Sequence, residues 1–291
     1  MKSIQRLLSG TSAWIGLTCL AVAASGPGQQ PAVWMASDLV GMKVVSQEGE
    51  SLGKIEDVVV HPGGMHAHAV LSFGGWLGMG DKLFAMPWSV LRSVAPETGK
   101  DADERTLALQ VDKETLKSAP GFDKKNWPSL ASPDWSREID AFYAVGRKPA
   151  HTQPVPAAAP TSVITWRVSE LKGFDVETPT GEELGEIEEV AIDANGRVSY
   201  VALKHGGSLL GGAKHVAVPW DALKFSLAGD KGDEKVITLA STEKQLEQAP
   251  EFKKDKEHRA EMSDPRWITR VYTHFSVAPY WTAQSAAGSK D

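Results

Sequence analysis

The chain has 291 residues, a formal net charge of −6 at pH 7, and a composition of 42% hydrophobic and 23% charged residues. The apolar content excludes a wholly disordered chain, and the glycine and proline counts exclude a collagen-like one. The acidic excess, 37 Asp and Glu against 31 Lys and Arg, argues against nucleic-acid binding, because nucleic-acid-binding proteins normally carry a strong basic excess.

The N-terminal segment 1–25 has the pattern of a secretory signal peptide. Lys2 and Arg6 precede an apolar stretch at 13–24, and small residues end it. A membrane-spanning helix needs about 20 apolar residues, so the stretch favours a cleaved signal over an anchor. We therefore predict an exported protein, periplasmic or at the cell surface, with an N-terminal membrane anchor as the alternative.

The single cysteine, Cys19, lies inside this predicted signal peptide. A cleaved chain therefore contains no thiol, which excludes disulfides, thiol catalysis and cysteine-based metal sites from the mature protein. Packing and hydrogen bonds must then hold the exported fold together.

The rest of the chain contains an internal duplication. A shift of 132 residues aligns a first copy at 34–145 with a second copy at 166–277. Pairs related by this shift include Trp34 and Trp166, Gly53 and Gly185, Pro87 and Pro219, and Trp88 and Trp220. A Pro/Ala-rich linker at 146–165 is predicted to be a semi-rigid spacer, and 278–291 a flexible tail. Each copy is long enough to form a domain of its own.

Within each copy, short β-branched runs alternate with turn residues, which is typical of strands. The first copy predicts strands at 52–60, 67–73, 83–87 and 106–110 and a helix at 112–117. The second predicts strands at 199–205, 215–219 and 236–239 and a helix at 241–248. The fold class is therefore mainly β: two tandem small β-barrels, each followed by a short helix and an aromatic-rich arm. We expect each arm to lie across its own barrel, because Trp127, Trp135 and Trp267 are too apolar to remain in water.

Four motifs recur in both copies. They occupy 37–41, 49–58, 70–82 and 85–88 in the first copy and 169–173, 181–190, 206–214 and 217–220 in the second. Together they resemble the PRC-barrel family. The resemblance implies a barrel similar to the cytoplasmic domain of the H subunit of photosynthetic reaction centres, and to the C-terminal domain of a ribosome-maturation factor. Both of those domains act as docking surfaces without catalysis.

The resemblance therefore implies a binding protein rather than an enzyme. We predict an exported adaptor that docks a protein partner in the envelope or at a membrane surface, with no cofactor, nucleotide or nucleic acid. One alternative is an assembly or electron-transfer support factor like the reaction-centre H subunit, and another is a periplasmic metal-binding protein. The oligomeric state is left open, and fold alone does not identify the partner.

The glycine-rich loop at 74–82 is the candidate contact surface. It lacks the Gly-Lys-Ser/Thr ending of a phosphate-binding loop, and a strand rather than a helix follows it, so it does not predict nucleotide binding. Trp76 and Leu77 in this loop, with Leu209 and Leu210 in the second copy, are the predicted partner contacts, since aromatic residues at loop tips are typical hot spots. Packing of Trp76 on its own barrel is the alternative.

Three histidines form the one candidate metal site. His61, His66 and His68 surround a predicted hairpin tip, and three imidazoles suit zinc, copper or nickel. The alternative is an exposed polar tip, because the second copy has Asp193, Val198 and Tyr200 at these positions.

The acidic pairs Glu56–Asp57 and Glu188–Glu189 do not predict acid–base catalysis. Neighbouring residues of a strand face opposite sides, so these carboxylates are predicted to be solvated. Trp88 and Trp220, each directly after a proline, are predicted to fill the core of their own barrels. No Gly-x-Ser-x-Gly motif is present to support a serine hydrolase.

Overall fold

The computed structural model describes residues 33–65, 67–73, 82–94, 105–130, 132–144, 165–206, 212–229 and 234–282. The predicted signal peptide and most of the linker lie outside these ranges. So do five of the predicted site residues: His66, Trp76, Leu77, Leu209 and Leu210.

The first copy is built from eight strands and three helices in the described ranges. Its strands are β1 (Val33–Met35), β2 (Lys43–Val45), β3 (Ser51–Val60), β4 (His68–Phe73), β5 (Lys82–Pro87), β6 (Leu91–Val94), β7 (Thr106–Leu109) and β8 (Gly121–Asp123). Its helices are α1 (Ala36–Leu39), α2 (Lys113–Ser118) and α3 (Pro133–Ala144), with a 3₁₀ turn at Trp88–Val90.

The second copy repeats this order after the linker. Its strands are β9 (Trp166–Arg167), β10 (Asp175–Glu177), β11 (Glu183–Asp193), β12 (Val198–His205), β13 (Lys214–Pro219), β14 (Leu223–Ala228) and β15 (Glu234–Leu239). Its helices are α4 (Val168–Leu171), α5 (Glu243–Glu247), α6 (Arg259–Met262) and α7 (Pro265–His274), with 3₁₀ turns at Trp220–Ala222 and Lys256–His258.

Local sequence explains where the helices begin. Asp112 accepts a hydrogen bond from the backbone N–H of Thr115 at 2.6 Å and so caps α2. Thr242 caps α5 in the same way. Asp264 caps α7, whose first residue is Pro265, a favoured residue at that position because its missing N–H needs no partner.

Two sheets carry the fold, so the mainly β fold class is confirmed. Their strand orders are β6-β7-β2-β3-β4-β5-β8 and β13-β12-β11-β10-β15-β14. The neighbours are antiparallel except for β2 with β7 and β10 with β15, which are parallel. Among the described strands, the two ends of each order are not paired with each other, so hydrogen bonding leaves each barrel open there.

Each sheet also takes one strand from the other copy. Strand β1 of the first copy pairs antiparallel with β11 of the second, and β9 of the second copy pairs antiparallel with β3 of the first. One hydrophobic core continues through both copies, including Val60 and Trp88 from the first and Val198 and Trp220 from the second. The structure therefore corrects the expectation of two separate modules on a spacer: the copies share strands and core.

The arms lie on their own sheets, as predicted. Helix α3 packs against β5 and α7 against β13. Trp135 and Trp267 are buried, while Trp127 is half-buried with its ring 5.0 Å from that of Phe122.

The predicted flexible tail needs a correction. Tyr280 and Trp281, which fall inside the predicted tail at 278–291, are buried against the second copy. The ring of Trp281 lies 5.0 Å from that of Tyr272 on α7. Two large aromatic side chains gain enough from burial to hold this part of the chain in place. No helix in the described ranges is long and apolar enough to cross a membrane.

Candidate functional site

The exchanged strands form the centre of the contact between the copies. Trp34 on β1 is the register partner of Ile192, and Trp166 on β9 is the register partner of Val60. The two pairs are related by the shift of 132 residues seen in the sequence. The contact is thus nearly two-fold symmetric, with each copy giving and receiving an equivalent strand.

Two tryptophan side chains cross this contact. The indole N–H of Trp88 donates to the carbonyl oxygen of Ala194 at 3.1 Å, and that of Trp220 donates to the carbonyl oxygen of Pro62 at 2.8 Å. Both rings are buried, as predicted for core residues. Each one, however, also joins its barrel to the other copy, because its only polar atom is paired across the contact.

Two glycines make room for these rings. Gly64 and Gly196 have positive φ angles of +68° and +79°. A Cβ on Gly64 would lie 2.7 Å from Cδ1 of Trp220, and a Cβ on Gly196 would lie 2.4 Å from Cβ of Trp88. Both the backbone conformation and the close approach of the ring therefore require glycine.

Asp57 is a residue whose role the sequence did not predict. Only 3% of it is exposed, and its carboxylate accepts hydrogen bonds from the backbone N–H of Val58 at 2.8 Å and from the backbone N–H and hydroxyl of Ser169 at 3.2 and 2.5 Å. Burial raises the pKa of Asp57, and the hydrogen bonds from Ser169 and Val58 oppose this only in part. The expectation of a solvated carboxylate is wrong here.

The equivalent residue in the second copy, Glu189, accepts a hydrogen bond from the backbone N–H of Ser37 at 3.1 Å. In both copies the sheet register shifts at this position, between Ile55 and Asp57 and between Ile187 and Glu189. Such an irregularity breaks simple alternation along a strand, so face assignment by period two fails at these acids.

Comparison with known protein families agrees with this architecture. The model of the PRC-barrel domain matches residues 35–116 and 165–246. The chain belongs to the PRC-barrel domain family. Comparison with individual curated proteins gives no match. The two matched ranges end in α2 and α5, so the arm helices α3 and α7 lie outside the PRC-barrel domains.

The arm of the first PRC barrel meets the predicted histidine site. His68 is 1% exposed, and its Nε2 lies 3.1 Å from Oδ1 of Asp140 on α3. Its ring centroid lies 5.8 Å from that of His61 and 5.2 Å from that of Trp135. The Nδ1 atom of His68 is buried without a hydrogen-bond partner.

The structure thus brings His61 and His68 together, while His66 lies outside the described residues. Among the described residues, no group of three or more His, Asp, Glu or Cys side chains is arranged to hold a metal ion. The three-histidine site therefore stays a prediction. Asp140 was missed because it lies far along the chain; its alignment with the aromatic Tyr272 was the available signal.

The second PRC barrel fills the equivalent position with different chemistry. Asp193 and Tyr200 take the places of His61 and His68. The buried carboxylate of Asp193 accepts hydrogen bonds from the backbone N–H groups of Asn195 and Arg197 at 2.8 and 2.9 Å, and from the hydroxyl of Tyr280 at 2.8 Å. Burial raises the pKa of Asp193 despite these bonds.

Arg197 completes this second cluster. Its guanidinium lies 4.2 Å from the ring centroid of Tyr280 and donates to both carboxylate oxygens of Asp221, at 2.9 and 3.1 Å. The cluster fastens the C-terminal segment to the second barrel. It therefore has a structural role.

Proposed function

We propose that the protein is a non-catalytic, exported adaptor that docks a protein partner in the cell envelope or at a membrane surface. The observation that carries this proposal is the joining of two PRC barrels by exchanged strands, β1 onto β11 and β9 onto β3. This exchange makes one frame from two barrels. Binding groups placed on such a frame keep a constant separation, which favours a partner with two contact surfaces.

The use of the shared polar residues supports binding rather than catalysis. Asp57 and Glu189 receive hydrogen bonds from the segments that follow the exchanged strands, and Trp88 and Trp220 donate to backbone carbonyls of the opposite copy. A catalytic carboxylate needs polar atoms that face a substrate. These carboxylates instead face backbone groups of the protein itself.

The glycine-rich loops are the proposed contact surface. They join equivalent hairpins, β4 to β5 in the first barrel and β12 to β13 in the second. The first loop carries Trp76 and Leu77, and the second carries Leu209 and Leu210. Loops on a stable scaffold commonly carry binding residues, and a difference between the two loops gives the frame two distinct contacts.

Site-specific photo-crosslinking in cells tests this assignment. A photo-reactive residue at position 76 or 209 should capture a discrete envelope protein. The control position is Leu227, a described apolar residue that is 42% exposed and lies outside both loops. Capture at 227 that equals capture at 76 and 209, or no capture at either loop, would contradict docking through these loops.

Export is tested separately by N-terminal sequencing of the protein from cell fractions. The positively charged start, the short apolar stretch and the small residues of segment 1–25 support cleavage. A mature end near residue 26 is expected. A retained Met1 in the membrane fraction would instead favour the anchored alternative.

A metal site in the first barrel is a second candidate, favoured by the contact between His68 and Asp140. A metal-ligating histidine commonly donates one ring N–H to a carboxylate and coordinates through its other nitrogen. Zinc and nickel titrations by calorimetry test it, with His68→Gln against His205→Gln, a buried histidine that bonds the carbonyl of Leu184. Saturable binding lost only in His68→Gln supports the site, and no saturable binding to the unaltered protein contradicts it.

A further inference from the structure

The contacts between the two barrels come in pairs that a two-fold rotation would interchange. The equivalent contacts, each offset by 132 residues, are Trp34–Ile192 with Trp166–Val60, Trp88–Ala194 with Trp220–Pro62, and Ser37–Glu189 with Ser169–Asp57. A homodimer with two-fold symmetry has the same property, since one surface patch binds its own copy. The chain therefore has the interface of a symmetric dimer within one molecule.

This interface does not depend on the covalent link between the copies. Its central contacts are backbone ladders between antiparallel strands, together with backbone hydrogen bonds from Val198 to Gly64 at 2.8 Å and from Ala67 to Gly196 at 3.1 Å. Strand addition of this kind works equally within a chain and between chains, because backbone groups supply the bonds. The linker only holds the two halves near each other.

We propose that a second copy of this chain is a partner for the same interface, so that the protein forms a strand-exchanged dimer. In this dimer, β1 of one molecule pairs with β11 of the other, and β9 of each pairs with β3 of its partner. Every contact of the single molecule is kept, and only the chain that supplies it changes. This proposal is independent of the envelope docking proposed above.

The linker decides when the dimer forms. A flexible connection gives its two ends an effective concentration on the order of 1 mM, so chains that fold in dilute solution close on themselves. Chains that fold at comparable protein concentrations should pair with each other. The exchanged form should then persist on dilution, because separating it requires both strand ladders to open.

An ion pair across the interface provides the test. Asp38 on α1 of the first copy pairs with Arg259 on α6 of the second, and both side chains are partly exposed. Full-length chains carrying Cys19→Ser and either Asp38→Cys or Arg259→Cys are mixed in equal amounts and refolded. They are then treated with a short bis-maleimide. Refolding is run from about 1 μM to about 1 mM, the range that approaches the effective concentration of the linked halves.

The matched control is an ion pair inside one copy. Lys253 and Glu261 lie 3.3 Å apart with similar exposure, and both belong to the second copy, so exchange cannot place them on different chains. Crosslinked dimer that rises with concentration for the Asp38→Cys and Arg259→Cys mixture, but not for Lys253→Cys with Glu261→Cys, supports the proposal. Equal crosslinking of both mixtures overturns it. Light scattering on the unaltered protein is the second measurement, and a monomer at every refolding concentration also overturns it.

Discussion

Trp220 donates its indole N–H to the carbonyl oxygen of Pro62, which lies 158 residues earlier in the chain. Trp88 makes the equivalent bond to Ala194 in the opposite direction. These two bonds join the copies, and the exchanged strands lie beside them. Stability of the whole frame should therefore depend on residues that look like the core of a single barrel.

Replacing Trp220 tests this dependence. Trp220→Phe keeps most of the ring but leaves the carbonyl of Pro62 without its donor, so we expect a loss of about 1–3 kcal/mol in the free energy of unfolding. Urea denaturation measures it. Trp127→Phe is the control, because Trp127 is only half-buried, and it should have a smaller effect. An equal loss in both variants would show that the cross-copy bond is unimportant.

Gly64 tests the close approach of the ring in isolation from backbone strain. Gly64→Ala places a Cβ 2.7 Å from Cδ1 of Trp220, whereas Gly49 has a similar φ of +84° with no atom near its Cβ position. Both variants bear the cost of a positive φ, which is about 1 kcal/mol. Gly64→Ala should lose clearly more stability than Gly49→Ala in urea.

The effect should also appear when the linker is cut after folding. With a protease site placed between 145 and 164, the two halves should stay together on size exclusion, and Gly64→Ala should weaken them more than Gly49→Ala does. Identical behaviour of the two variants would place Gly64 outside the interface.

The raised pKa of Asp57 predicts a specific dependence of stability on pH. In the pH range just above the ordinary aspartate value of about 3.9, the folded protein keeps a proton that the unfolded chain has released. The stabilising contribution of the protonated group is complete below that range and is lost as pH rises through the pKa of the folded state. Unfolding free energy should fall across this window.

Asp57→Asn should flatten this fall without abolishing it, because Asp193 has a pKa raised in the same direction. Urea unfolding at a series of pH values measures the slope. Asp112→Asn is the opposite control, since hydrogen bonds from Thr115 lower the pKa of Asp112 and its contribution is lost as pH falls. An unchanged slope in Asp57→Asn would contradict the assignment.

Tyr280 should fasten the C-terminal segment to the second barrel. Tyr280→Phe removes the hydroxyl that donates to the buried carboxylate of Asp193, and we expect a loss of about 1.5–3 kcal/mol, as for hydrogen bonds to charged groups. Faster digestion by carboxypeptidase should accompany it. Tyr143→Phe is the matched control, because the hydroxyl of Tyr143 is buried without a hydrogen-bond partner, so its removal should be neutral or stabilising.

The local architecture was predictable because it depends on local rules. Alternating β-branched residues, glycine at turns and capping residues before short helices predict the strands β3, β4 and β5 and the helices α2 and α5 closely. The duplication predicts that both copies share one fold, since the same pattern of buried residues requires the same packing. The candidate site was less accessible: the contact between His68 and Asp140 depends on how α3 lies across β4 and β5.

The sequence by itself determined two PRC barrels, their order, the burial of their tryptophans and the histidines near one hairpin. Tertiary structure alone decided which strand pairs with which sheet. A ladder is made by backbone groups that are the same in every residue, and β3 and β11 are duplicated, so β1 matches either edge in composition. Geometry selects the opposite copy. The same exchange buries Asp57 beside Ser169, where strand alternation predicted a solvated carboxylate.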